Sequence, residues 1–209
     1  MARKTKSDAQ ITRDQLLDAA EHLFQQHGVS RTALQQIAEQ AGLTRGAIYW
    51  HFKDKAELFN AMMERVRLPF EEIIERLRQD SSHSPLSRLR QILQESFHRI
   101  HTDEQTRRVF EIIYHKIEII GEIDAVMDRR NDCRREFLAM IENELAQAAA
   151  SGHIRPDIAP RNAARVLHAM LDGLIFNWLL DPEDQDLVAL SRQAYDIFEA
   201  GLQPRAPGA

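Results

Sequence analysis

TALQQIAEQAGLTRGAIYWHF, residues 32–52, reads as two short helices joined by a glycine-centred turn. Thr32 is placed to cap the first helix, and Gln35 three residues later can reach back, the reciprocal arrangement of a capping box. Leu34, Ile37, Ala38 and Ala41 recur at helical spacing and make one apolar face. Gly42 follows, and a residue without a Cβ turns the chain at positive φ without a clash. Thr44 caps the second helix, in which Leu43, Ala47, Ile48 and Phe52 are expected inward and Arg45, Gly46, Tyr49, Trp50 and His51 outward. Exposed Tyr, Trp and His side by side are costly on a plain surface, whereas their OH and NH tips donate well to phosphate oxygens beside a groove. The pair therefore reads as a helix-turn-helix that enters DNA; the competing reading is a helix pair that only packs.

The composition around this stretch has to be squared with it. The chain has 209 residues, 44% hydrophobic and 28% charged, long enough to bury a real core. Its net charge of -5 argues against nucleic acid when taken whole, but the charge is uneven. Residues 1–55 carry eight Lys/Arg against six Asp/Glu, and the remainder carries 19 against 26. The basic residues gather in an N-terminal arm (Arg3, Lys4, Lys6) and beside the motif, so the acidic bulk is not the DNA face. Cys133, the single cysteine, cannot form an internal disulfide and fits a reducing compartment. The charged N-terminus does not read as a signal peptide, and the most apolar stretch, LDGLIFNWLL at 171–180, is broken by Asp172 and Asn177, so no membrane span is expected. The expectation is a cytoplasmic protein.

Helical periodicity dominates on both sides of the motif, which predicts an all-α fold of about nine helices. A first helix is expected from Thr12, with Gln15 at its capping-box position, Leu16, Leu17, Ala20, Leu23 and Phe24 as its buried stripe and Gly28 as its end. Asp54 and Glu57 open a fourth helix from Lys55 to about Asp80, and Pro69 inside it predicts a kink, or else two helices that meet there. Ser84 and Pro85 start the next helix, with Leu86, Leu89, Ile92, Leu93, Phe97 and Ile100 inward. Another is expected from about Asp103 to Ile119, with Phe110, Ile113, Tyr114 and Ile117 inward and Gly121 breaking the pattern. A long helix from about Ile123 to Ala150 stops at SGHIRPD, and a last pair spans 160–180 and about 184–202. The expected organisation is a three-helix DNA-binding domain, 1–55, followed by a helical bundle for ligand binding and dimerisation, 56–209.

Residues 12–58, above all TRGAIYWHFKDKAELF at 44–59, closely resemble the DNA-binding domain of the TetR family of bacterial repressors. With ARKTK at 2–6, the chain resembles the AcrR/TtgR-type branch of that family, which represses multidrug efflux operons. The resemblance implies that Arg45, Gly46 and Ala47 face base edges, with Arg45 able to pair with guanine. It implies that Thr32, Thr44, Tyr49, Trp50, His51 and Lys55 position phosphates, with Gln35 in the same DNA-facing set.

The helix at 160–180 is apolar nearly all round and has to be covered twice. Val166, Met170, Leu174 and Trp178, with Leu187, Leu190, Ala194, Ile197 and Phe198 of the last helix, are expected to form a self-complementary dimer interface; a monomeric core helix is the competing reading. A twofold dimer suits a palindromic operator, since two recognition helices roughly 34–36 Å apart match one DNA turn. Polar residues set in apolar faces, Tyr114, His115, His168 and Asp172, are candidates for a small-molecule pocket walled by Phe97, Phe110, Leu171 and Phe176. For each, a satisfied structural hydrogen bond is the plainer reading. The resemblance implies a large apolar cavity lined by the segments matching 109–117 and 168–176. It also implies a basic residue in relatives where Phe176 stands, so anionic effectors should fit poorly. His98 and His101, near Glu95, have helical spacing but no further ligands and read as a solvated face rather than a metal site. No nucleophile motif, phosphate loop or cofactor signature occurs, so neither an enzyme nor a cofactor is expected. The expected function is a ligand-responsive repressor released from its operator by an apolar or aromatic compound; the alternative is a DNA-binding regulator whose C-terminal domain answers to a protein partner.

Overall fold

The computed structural model describes residues 6–117 and 124–204, and every regular element among them is an α-helix. In chain order these are α1 (Lys6–His27), α2 (Leu34–Gln40), α3 (Arg45–His51), α4 (Lys55–Gln79), α5 (Pro85–Thr102), α6 (Glu104–His115), α7 (Asp124–Ala150), α8 (Pro160–Leu180) and α9 (Leu187–Leu202). Gly121 lies outside the described residues. Packing divides the chain into two compact units, 1–68 with 105–130 and 69–104 with 131–209. The expected boundary at 55/56 falls inside the first unit, which also takes in the first half of α4 and all but one residue of α6.

In the first unit α1 packs on α2 and α3, and α2 on α3. Leu16, Leu17, Ala20, Phe24, Ile37, Ile48, Phe52 and Phe59 are buried there. Helix α1 starts six residues before the expected Thr12. Thr12 sits mid-helix, and its hydroxyl donates to the Asp8 carbonyl at 2.8 Å instead of capping. The start of α2 is shifted too. The Thr32 hydroxyl donates to Gly28 O at 2.8 Å, so Ala33 takes the cap position and Gln36 Oε1 accepts the Ala33 N–H at 2.7 Å. Gly28 and Gly42 hold φ of 87° and 68°, a conformation strained for any residue with a side chain. Asp54 accepts from the Glu57 N–H at 2.8 Å and opens α4, which runs as one helix through Pro69, so the reading of two helices meeting there does not hold.

The deepest face of α6 is not the expected one. Thr106, Val109 and Ile112 are buried, whereas Phe110, Ile113, Tyr114 and Ile117 are half-buried. The apolar arc from Val109 to Tyr114 is wide, and periodicity alone does not say which of its edges goes deepest.

In the second unit α9 packs on both α5 and α8. Ser84 caps α5 by accepting from the Ser87 N–H at 3.2 Å, as expected. A buried Arg88–Glu144 pair, Nε to Oε2 at 2.9 Å, ties α5 to α7, and the Tyr195 hydroxyl donates to Leu86 O at 2.8 Å from α9. Asp186 starts α9 by accepting from the Val188 and Ala189 N–H groups, both at 3.0 Å, slightly later than expected. Helix α8 is long and apolar enough to cross a membrane by length and composition, contrary to expectation. Leu167, Leu171, Ile175 and Trp178 are buried in the second unit, which is the behaviour of a core helix.

Candidate nucleic-acid interface

Helix α3 has seven residues and only Ile48 buried, so it is held mainly at its ends. Thr44 Oγ1 accepts from the Ala47 N–H at 3.2 Å, and the buried Phe52 forms the C-cap. The opposite side is left to solvent. Trp50 is 72% and Tyr49 47% exposed, Arg45 and Gly46 are exposed, and Ala47 and His51 are half-buried. The Arg45 guanidinium lies 5.6 Å from the Tyr49 ring centre, and Trp50 meets His51 edge-on at 4.5 Å. A cation held by a ring face keeps its planar fork of donors available.

Three residues expected on DNA are instead engaged within the protein. Thr32 is buried with its hydroxyl spent, and Gln35 donates to Glu39 at 2.9 Å from an exposed position. Lys55 Nζ donates to the carbonyls of Val29 at 2.9 Å and Ser30 at 3.0 Å, which ties the start of α4 to the turn before α2.

Sequence reasoning missed the polar seam between α1 and α6. Glu21, buried, meets Arg65 at 3.1 Å, Gln105 at 3.0 Å and Arg108 at 3.7 Å. Burial pushes its carboxyl above the ordinary range, against the pull of Arg65, Gln105 and Arg108. Further along, Gln25 donates to Glu111 at 2.7 Å, and the Val29 N–H to Lys116 O at 3.1 Å. No local pattern announces such pairs, because the partners lie 84 and 86 residues apart.

The residues expected to line a ligand pocket are divided between the units. On α6, in the first unit, Phe110 and Tyr114 stack at 6.2 Å with Arg130 5.7 Å from the Tyr114 ring, and His115 follows half-buried. In the second unit Phe97 and Leu171 are buried, and the part-exposed Asp172 faces His168, Nδ1 to Oδ2 at 3.5 Å. The Phe137 ring lies 5.9 Å from His168, and Phe176 is 42% exposed. His101 is not on a solvated face: it is half-buried against Trp178 at 5.7 Å. His101 Nδ1 and Trp178 Nε1 are buried without a hydrogen-bond partner among the described residues.

The expected dimer face is corrected in part. Trp178, Leu187 and Phe198 are buried within their own chain, because α9 is clasped by α5 and α8 and turns them inward. Val166 and Ile197 stay exposed, and Leu190 is half-buried. Met170, Leu174 and Ala194 line an open groove of about 430 Å³ with Ala169, Gly173, Asn177 and Gln185.

A capped two-helix motif whose second helix presents arginine and aromatic tips, followed by an all-helical second unit, defines a DNA-binding regulator. The chain belongs to the TetR family: residues 16–62 match the model of bacterial regulatory proteins of that family, and 84–203 match the C-terminal region of MAATS-type transcriptional repressors. It is 41% identical to the HTH-type transcriptional regulator AcrR of Shigella flexneri over 95% of this chain and 92% of that protein. Among solved structures it resembles NalD, the secondary repressor of the MexAB-OprM multidrug efflux pump in Pseudomonas aeruginosa, at a TM-score of 0.85 and 38% identity, covering 95% and 98% of the two chains. It also resembles the SmeT–triclosan complex, SmeT being the repressor of the Stenotrophomonas maltophilia pump SmeDEF, at a TM-score of 0.83 and 36% identity over 95% and 96%. Proteins of this family are transcriptional repressors rather than enzymes; they bind operator DNA, act as dimers and take small-molecule effectors.

Proposed function

We propose that the protein represses a multidrug efflux operon as a homodimer on a palindromic operator and leaves when a small apolar or aromatic compound binds its C-terminal domain. The outward face of α3 carries the DNA half of this reading, because Arg45, Tyr49 and Trp50 stand exposed at a helix too short to be explained by packing. The efflux half rests on the likeness to AcrR, NalD and SmeT. In this reading residues 1–55 read DNA in the cytoplasm, and 56–209 bind the effector and dimerise. Arg45, Gly46 and Ala47 face base edges, while Thr44, Tyr49, Trp50, His51 and Lys55 take phosphates. Thr32 acts through the start of α2 that it holds, and Gln35 flanks it on the same helix. The dimer forms through Val166, Met170, Leu174, Leu190, Ala194 and Ile197, with the groove on α8 seating a helix of the partner.

The residues proposed for the effector are Phe97, His168, Leu171, Asp172 and Phe176 in the second unit and Phe110, Tyr114 and His115 in the first. Three of these lie on α6, which is bonded to α1 through Gln105, Arg108 and Glu111. An effector that displaces α6 therefore pulls on α1 and alters the spacing of the two recognition helices. Fluorescence anisotropy on an operator selected from a randomised duplex pool tests the cycle, with triclosan as the probe. Loss of affinity at saturating triclosan supports the reading. Unchanged affinity overturns it for this compound class and favours a protein partner.

A further inference from the structure

We infer that Arg13 of α1 is a phosphate-contacting residue that carries the DNA interface beyond the helix-turn-helix. Its guanidinium lies 5.0 Å from the centre of the Phe52 ring, at the C-cap of the recognition helix. That ring closes an aromatic row beginning in solvent: Trp50 meets His51 at 4.5 Å, and His51 meets Phe52 at 6.3 Å. Arg13 and Arg45 thus stand at the two ends of α3, each held by a ring that α3 or its cap supplies.

Four other arginines of this unit are treated differently from Arg13. Arg65, Arg67, Arg108 and Arg129 each have a carboxylate partner. Arg13 is half-buried, yet it makes no hydrogen bond or ion pair with any described residue. A guanidinium partly removed from water but left with its donors unspent is a poor structural anchor and a well-oriented fork for an anion. Lys6 adds a second, independent pointer. It is exposed seven residues earlier, so the two cations lie two turns apart on one face of α1. The adjacent Asp14 accepts from Gln10 at 3.2 Å and forms no ion pair with Arg13 or Lys6.

The inference rests on the DNA-binding reading above, and the experiment separates the two. Binding of wild type, Arg13→Met and Arg13→Lys is measured against salt on the selected operator and on a scrambled duplex. Methionine keeps an apolar stem over Phe52 and removes only the charge. The slope of log K against log salt should fall by about 1.8 for the dimer, because each protomer neutralises one phosphate fewer at roughly 0.9 apiece. Both duplexes should lose equally, the ratio between them should hold, and lysine should restore the slope. An unchanged slope for Arg13→Met overturns the inference, whether or not affinity drops. Failure of Arg13→Met to fold overturns it as well, by marking the residue as structural. Absence of salt-dependent binding by wild type would instead overturn the DNA-binding reading itself.

Discussion

Helices α3 and α8 use their residues in opposite ways. Of the seven residues of α3, only Ile48 is buried, and the arginine and aromatic tips that make it useful are unspent. Of the 21 residues of α8, Ala163, Ala164, Leu167, Leu171, Ile175, Trp178 and Leu179 are buried, so one side of the helix is consumed by its own unit. A short helix capped by Thr44 and pinned at Ile48 and Phe52 can be functional nearly all the way round. A long apolar helix is functional only where its own fold leaves it uncovered, at Val166, at Phe176 and along the groove past Met170 and Leu174. Substitutions on α8 should therefore act on stability, and those on α3 on DNA.

The largest expected effect lies at Trp178, 1% exposed. Trp178→Ala should cost about 3–5 kcal/mol by leaving a cavity, read as a fall in the urea midpoint with little change in slope. Trp178→Phe should recover much of this, because it refills most of the volume and removes an indole N–H that is buried without an acceptor. Ile197→Ser, at a residue 65% exposed one turn from the same core, should leave the urea midpoint of a dilute sample nearly unchanged. If Ile197→Ser were as damaging as Trp178→Ala, the division of α8 and α9 into a spent and an unspent face would be wrong.

Next in size is Arg45→Ala. Loss of a bidentate guanine pairing should cost about 1–3 kcal/mol and relax preference at one base pair per half-site, with thermal stability unchanged. Competition with single-base operator variants measures this. A uniform loss across all variants would move Arg45 from base reading to phosphate positioning.

These two residues also show what is legible in the sequence. The outward Arg45, Tyr49 and Trp50 can be read because both helix registers around Gly42 are short and fixed at each end by local chemistry. The inward turn of Trp178 cannot, because α8 is apolar on every side and only the position of α9 decides which side is covered. An outward Leu187 and Phe198 fail for the same reason. The start of α2 slips by one residue because Thr32 gives its hydroxyl to Gly28 O, a bond across a turn whose shape depends on φ at Gly28. Arg13 and Glu21 are silent in the sequence because their partners, Phe52 and Gln105, are distant in the chain. Capping, stripes and turns are local and periodic; ring faces and buried pairs are set by tertiary packing.

A smaller effect is expected at Thr44. Thr44→Ala removes the one side-chain bond that starts α3 and should cost about 1 kcal/mol of stability. Its effect on DNA affinity should exceed its effect on the melting temperature, because fraying the first turn also disorders Arg45 and Gly46. Equal proportional losses at Thr44→Ala and Trp178→Ala would erase the distinction between the two helices.

The smallest effect should have opposite signs in the two states of α8. Gly173 lies inside the helix, and a Cβ there meets nothing within 4 Å in its own chain. Gly173→Ala should therefore stabilise the isolated chain by roughly 0.5–1 kcal/mol through lower backbone entropy in the unfolded state. Gly173 also lines the groove proposed to seat the partner, where an added methyl narrows the space open to a second helix. The melting temperature should rise in dilute samples and gain less, or fall, at concentrations where the dimer dominates, since association adds stability by mass action. A gain independent of concentration would mean that the groove stays open in the dimer, and that the exposed part of α8 is not what the second copy covers.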